Sequence, residues 1–244
     1  GVKSVGEAAN GFNVRGGAVD QNLVLFNGGT VYNPSHMFGL FSGFNPDVIS
    51  DVELYKCSVP VNYGGRISSV LEVNNRQGSN KELVSSLSLG ALTAKGHIEG
   101  PICKKTTFIA GARTTYSNWL LGLLPKDSEY KMGTASFYDV TAGVTHNFTD
   151  ENSIQFNGYY SKDAFKFRIN NSYGYENVNG SVRWRNNFSS RSSVELLAGY
   201  DRYSYSNADW TNQVNGYQLK FDISQIYGKM KFKYMPVHSH TFIY

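Results

Sequence analysis

From about Glu82 onward the chain alternates apolar and polar residues in a succession of segments, joined by connections that are alternately short and long. The clearest segment is residues 138–148. Tyr138, Val140, Ala142, Val144, His146 and Phe148 fall on one side, with Asp139, Thr141, Gly143, Thr145 and Asn147 on the other. Side chains at i and i+2 share a face of a strand, so the pattern predicts one apolar and one hydrated side. Residues 178–188 repeat it: Val178, Gly180, Val182, Trp184, Asn186 and Phe188 oppose Asn179, Ser181, Arg183, Arg185 and Asn187. Both runs exceed the roughly 5 to 6 residues of an ordinary strand and match the roughly 10-residue segments of a membrane barrel.

Strands are predicted near residues 83–89, 92–100, 106–117, 137–148, 153–167, 176–188, 193–205 and 217–234, with a last one starting at Thr241; the first two allow one long strand. Tight connections fall at 101–105, 149–152, 189–192 and 236–240, longer ones at about 118–136, 168–175 and 206–216. Outer-membrane barrels sort their connections this way, with brief turns on the periplasmic side and longer loops outside. A soluble β-sandwich has no physical reason to do so. Tyr138 and Phe148 bracket one strand, and Tyr200, Tyr203 and Tyr205 close another, as an interfacial aromatic girdle would. On this reading Val144→Arg is costly, because Val144 faces lipid, whereas Thr145→Arg is tolerated in the lumen.

Composition changes little. A hydrophobic fraction of 41% suits a soluble protein and a barrel equally. No run approaches the ~20 apolar residues of a membrane helix. The net charge of +4 is mild, and Lys and Arg are scattered instead of forming a stripe, which does not meet the criteria for a nucleic-acid partner. Cys57 and Cys103 stand far apart with no CxxC or Cys/His cluster around them.

Residues 1–78 have a different grammar. Glycines are dense, and between them lie short strands at 12–15, 22–26, 52–55 and 70–74, which predicts a compact α+β unit with tight turns. Asn45-Pro46-Asp47 reads as a helix start, with Asn45 as N-cap and Pro46 at the first position. The segment 77–80 marks the boundary, with residues 79–244 forming the strand region.

Four motifs in this first region appear in a family's order: Gly11-Phe12-Asn13-Val14-Arg15-Gly16-Gly17, then Asn22-Leu23-Val24-Leu25-Phe26-Asn27-Gly28, then Asp51-Val52-Glu53-Leu54-Tyr55-Lys56, then Tyr63-Gly64-Gly65-Arg66-Ile67-Ser68. The series resembles the plug domain of TonB-dependent outer-membrane receptors. The stretches Tyr32-Asn33-Pro34-Ser35-His36 through Phe44-Asn45-Pro46, and Glu99-Gly100-Pro101-Ile102, resemble the SusC-like branch common in Bacteroidetes. The resemblance implies an energy-coupled importer of a small nutrient in the cell outer membrane: a plug inside a 22-stranded barrel, pulled by the TonB complex and bathed by outer-membrane lipid. For that branch it also implies a surface lipoprotein partner. Nine strands do not close such a barrel, and the TonB-contacting segment precedes the plug motifs in the family. The chain is therefore expected to be the C-terminal part of a plug with the first barrel strands. Lys56-Cys57 departs from the family's Lys-Gly.

Within the plug motifs Arg15, Gly16, Gly17, Glu53, Tyr63, Gly64, Gly65 and Arg66 are the candidates for turn chemistry and plug–barrel contact. His36, Phe38, Phe41, Trp119 and Trp210 are the candidates for facing substrate. His238 and His240 lack a third ligand, so no metal site is expected. No nucleophile and base in catalytic order and no carboxylate pair stand out, and neither an enzyme nor a cofactor is expected. The competing function is a soluble β-rich carbohydrate-binding or adhesin module with aromatic loops.

Overall fold

The computed structural model describes residues 2–4, 11–56, 59–116, 118–119, 123, 133–168, 171–210, 214–237 and 240–243. Among the described residues seventeen strands run in chain order. Eight short ones make the inner unit: β1 (Val2–Ser4), β2 (Phe12–Val14), β3 (Asn22–Phe26), β4 (Gly29–Thr30), β5 (Ser35–His36), β6 (Phe41–Ser42), β7 (Ile49–Tyr55) and β8 (Ser69–Asn75). Nine follow as a wall: β9 (Val84–Leu89), β10 (Thr93–Cys103), β11 (Thr106–Thr115), β12 (Thr134–Asn147), β13 (Asn152–Arg168), β14 (Asn171–Ser189), β15 (Ser192–Asp209), β16 (Tyr217–Val237) and β17 (His240–Ile243). The wall strands pair in sequence order as one antiparallel meander, with β9 and β17 at its edges.

The inner unit is built on a four-stranded sheet of order β4-β3-β8-β7, in which β3 and β8 run parallel and the other pairs antiparallel. Its helical content in described residues is three single-turn 3-10 segments, Val19–Gln21, Met37–Gly39 and Pro46–Val48. The last has the expected start: the Asn45 side chain accepts a bond of 3.1 Å from the Asp47 amide, and Pro46 sits in the first turn. One apolar cluster gathers Val24, Phe26, Val31, Phe44 and Val73 of the inner unit with Tyr159 of the wall.

The wall is inside-out relative to a water-soluble domain. Along β12, Phe137, Asp139, Thr141, Gly143 and Thr145 are buried, while Tyr138, Val140, Ala142 and Val144 are exposed. In β14, Asn177, Asn179 and Ser181 are buried and Val182 is exposed. A soluble sandwich would bury the apolar set against a second sheet. Here the polar set is covered and the apolar set faces out, as lipid requires.

Two expectations about connections need correcting. Strand β13 continues to Arg168 and β14 begins at Asn171, so the loop expected at 168–175 is mostly strand. The alternation of Phe165 with its neighbours simply runs on into Tyr173 and Tyr175, whose rings pack with it. Of the two readings of the first segments the structure takes the one with two strands, β9 and β10, joined over residues 90–92. The turn after β10 narrows to residues 104–105, because Pro101 and Cys103 both stay paired with β11 across a bulge between them.

Toward the β13–β14 turn the outward face changes character. Tyr138 and Tyr160 lie side by side there, and beyond them come the outward pairs Lys162–Glu176 (2.5 Å) and Arg202–Asp222 (2.8 Å).

Val144 lies between Phe108 and Phe156 on the apolar face. Val144→Arg is expected to cost roughly 2 to 4 kcal/mol in denaturant titrations of the complete protein in lipid, with Val144→Leu within about 1 kcal/mol of wild type; equal losses would contradict a lipid-facing position. Thr145→Arg is no longer expected to be tolerated. Thr145 faces inward but is only 3% exposed, so an arginine there has no water to reach.

Candidate functional site

The seam between the inner unit and the wall is where the chain concentrates buried polar chemistry. Three groups of contacts hold it together.

The first is a turn pushed into the wall. Asn27 and Gly28 join β3 to β4, with φ of 50° and 87°. Two successive left-handed residues make the tight hairpin that Asn-Gly favours. The turn presents the Thr30 amide to Asp201 Oδ2 at 2.7 Å, and Asp201 also accepts from Asn179 Nδ2 (2.6 Å) and Gln225 Nε2 (3.1 Å). Lys229 Nζ donates to the Gly28 carbonyl at 3.2 Å. A Cβ on Gly29 would lie 1.9 Å from Asn179 Nδ2 and 2.5 Å from Asp201 Oδ1, so only glycine permits this approach.

The second is the hairpin formed by β5, the turn at Met37–Gly39 and β6. The wall reaches its backbone with side chains: Asn177 Nδ2 to the Asn33 carbonyl (3.2 Å), Tyr175 Oη to the Ser35 carbonyl (3.0 Å), Arg113 to the Ser42 carbonyl (2.6 Å) and Tyr159 Oη to the Gly43 carbonyl (2.7 Å). The Met37 amide donates to Asp163 Oδ1 at 3.0 Å. His36 anchors the hairpin. Its Nδ1 lies 2.5 Å from Asp163 Oδ2 and its Nε2 3.3 Å from Asp139 Oδ2, the latter an ionic contact more than an aligned hydrogen bond. Its ring stacks on Phe137 at 4.2 Å. Asp139 also takes Arg113 Nε at 2.8 Å.

The third lies at the other end of the seam. Asp47 receives Lys95 Nζ at 2.7 Å, its carbonyl receives Arg76 Nε at 2.9 Å, and Arg76 pairs with Glu99. Between β7–β8 and the wall lies a cavity of about 690 Å³, with Glu53, Tyr63 and Glu72 on one side and Arg183, Arg185 and Lys229 on the other.

The residues singled out in the sequence fall unevenly on this seam. Arg15 is exposed with φ of 51°, next to Gly16 at 82° and Gly17, whose Cα packs close to Ser68. Gly64, Gly65 and Arg66 are exposed, and the Arg66 guanidinium bonds to the neighbouring Gly65 carbonyl at 2.8 Å. Glu53 accepts from Tyr55 and Tyr63 donates to Glu72; burial and then that carboxylate push the Tyr63 phenol above its ordinary range. His36 does not line an open chamber, being 1% exposed against the wall. Phe38 packs on Phe165 and Tyr173, and Phe41 on Phe137. Trp119 and Trp210 are half-exposed, with Trp119 Nε1 donating to the Ala91 carbonyl at 3.3 Å. His238 and Cys57 lie outside the described residues.

Asp139, Asp163, Asp201 and Arg113 were not foreseen as site residues, and the expectation that no carboxylate pair stands out is corrected. Arg113 and Asp139 are direct cross-strand partners, whereas Asp163 opposes Phe137, two residues along from Asp139. Pairing of β12 with β13 brings together two carboxylates 24 positions apart in the chain. The only signal was their place on the polar face of strongly alternating strands.

Residues 1–70 match the family model of the TonB-dependent Receptor Plug Domain. No match is found among curated protein sequences. Among solved structures the chain is similar to a variant of the ferric enterobactin receptor of Pseudomonas aeruginosa, at 14% identity and TM-score 0.66 over 93% of this chain and 40% of that one. It is also similar to the ferric preacinetobactin receptor of Acinetobacter baumannii, at 12% identity and TM-score 0.67 over 95% and 39%. An outer membrane transporter of Escherichia coli matches at 11% identity and TM-score 0.64 over 96% and 42%. The chain thus spans about two fifths of the length of these proteins. Its fold is mainly β, that of a TonB-dependent receptor plug together with part of its barrel.

Proposed function

We propose that this chain is part of an outer-membrane receptor that takes up a small nutrient, with residues 1–78 as plug and residues 79–244 as nine strands of a 22-stranded barrel. The observation that carries the reading is the seam: a folded unit fills the polar side of a lipid-facing wall and is held there mainly by side-chain hydrogen bonds and ion pairs. Such contacts contribute about 0.5 to 1.5 kcal/mol net each between neutral groups and about 1.5 to 3 kcal/mol where one partner is charged, and they exchange with water once displaced, so a plug held by them is stable yet removable. Coupling to the TonB complex of the inner membrane supplies the work of removal. Two of the similar solved proteins are receptors for ferric siderophores, which supports a small metal chelate as cargo. The SusC-like motifs at 32–46 and 99–102 support the Bacteroidetes branch and its surface lipoprotein partner. The work is binding and passage, with no covalent chemistry.

The test is uptake by cells carrying the complete protein, supplied with a panel of radiolabelled ferric siderophores. Influx of at least one is expected, and a protonophore is expected to abolish it; influx indifferent to the protonophore would mean a passive pore. Seating is tested separately. Gly29→Val is expected to weaken plug retention by about 1 to 3 kcal/mol, since the added atoms collide with Asn179 and Asp201. The measurement is the urea midpoint at which the plug becomes protease-accessible while the barrel stays folded. An unchanged midpoint would show that the turn does not bear the seating.

A further inference from the structure

The hairpin at residues 33–44 is clamped by four ionisable side chains that are almost wholly buried: His36 at 1% exposure, Asp139 at 0%, Asp163 at 1% and Arg113 at 9%. Burial makes their charge balance decisive, because an uncompensated charge cut off from water is expensive while a balanced, hydrogen-bonded set is not. Asp139 and Asp163 contribute two negative charges, and Arg113 contributes one positive charge. With a neutral imidazole the cluster keeps a net negative charge, and one ring nitrogen turns a lone pair toward a carboxylate. With an imidazolium the sum is zero, and both ring nitrogens carry protons toward Asp163 and Asp139.

We propose that this cluster is a proton-binding latch: one proton, carried between His36 and its two carboxylates, completes the clamp that fastens the 33–44 hairpin to the wall, and its loss loosens that hairpin. The proposal rests on reading the inner unit as a plug that must leave its seat.

Every element packed against the ring agrees with this assignment. From β11 comes Arg113, which reaches past Asp139 to the Ser42 carbonyl. From β12 come Asp139 and the stacked, uncharged Phe137. From β13 come Asp163 and Tyr159, and from β14 Tyr175; the two phenols donate to hairpin carbonyls. No lysine joins the cluster among the described contacts, so nothing but the imidazolium balances Asp163. Burial by itself lowers the His36 pKa, but the close contacts with Asp139 and Asp163 and their charges outweigh it and raise the value above the ordinary 6.5. The sign follows. A group whose seated pKa is raised lends stability that is complete below its released value and is lost as pH rises through the seated one. The latch is therefore closed below the released value of about 6.5 and opens as pH rises through the higher seated one.

The experiment is hydrogen exchange on the complete protein in lipid, with protection of the amides in residues 33–44 corrected for intrinsic rates at about pH 6 and about pH 9. Wild-type protection is expected to fall by up to ~tenfold for each pH unit between the released and the seated pKa of the latch, and to level off above the seated one. His36→Gln is expected to show low protection at both values. The double variant His36→Gln with Asp163→Asn restores charge balance and is expected to recover protection and lose its pH dependence. Wild-type protection independent of pH, or an equal fall in the double variant, would overturn the latch. Heat-modifiable electrophoretic mobility confirms that each variant's barrel is folded. Because exchange reports seating and not uptake, failure of the transport assay leaves this result intact, and the converse holds.

Discussion

Within lipid no water is present to satisfy an amide or a carbonyl, so each wall strand must exhaust its backbone hydrogen bonds on its neighbours. The antiparallel meander meets that demand along β10 to β15, between its open edges, and everything else depends on it. A paired strand has two faces and no others. If one is spent on lipid, the remaining one must carry all contact with the interior. The plug therefore sits against a face rich in Asn, Ser, Thr, Asp and Tyr, with Phe137 and Phe165 among them, and its attachment is written largely in polar groups.

This division explains why, among the described residues, the apolar cluster around Phe26 and Phe44 takes Tyr159 alone from the wall. A larger apolar contact would bind the plug permanently, since burial of apolar surface stabilises by about 25 cal/mol per Å² without regard to direction. Hydrogen bonds and ion pairs are directional instead. They specify one seated position, through the turn at Asn27-Gly28 and the hairpin at 35–42, and they weaken sharply once displaced.

The same division governs how much was legible in the sequence. The faces of β12 and β14 were readable because alternation at period two is a local property, recorded in about ten consecutive residues. The start at Asn45-Pro46 was readable because capping involves neighbours only. The latch was not. His36, Arg113, Asp139 and Asp163 are scattered over 127 positions, and on a polar face a lone aspartate looks like any solvated charge. Strand register brings them together, and register is set by the whole sheet. The turn at 168–175 was misjudged for a related reason: its Tyr and Asn residues suit a loop as well as a strand, and only packing against Phe165 decides between them.

The outward pairs Lys162–Glu176 and Arg202–Asp222, set just beyond the tyrosines at 138 and 160, also record a height. Strand β16 has 21 residues, on the order of 70 Å of chain at about 3.3 Å each, far more than an apolar band of about 25 Å needs even when tilted. The surplus stands above the membrane, and the charged pairs mark its waterline. Asp163 is the very next residue after Lys162 and points the other way. The most heavily charged part of the seam therefore lies level with the lipid headgroups, not the hydrocarbon midplane.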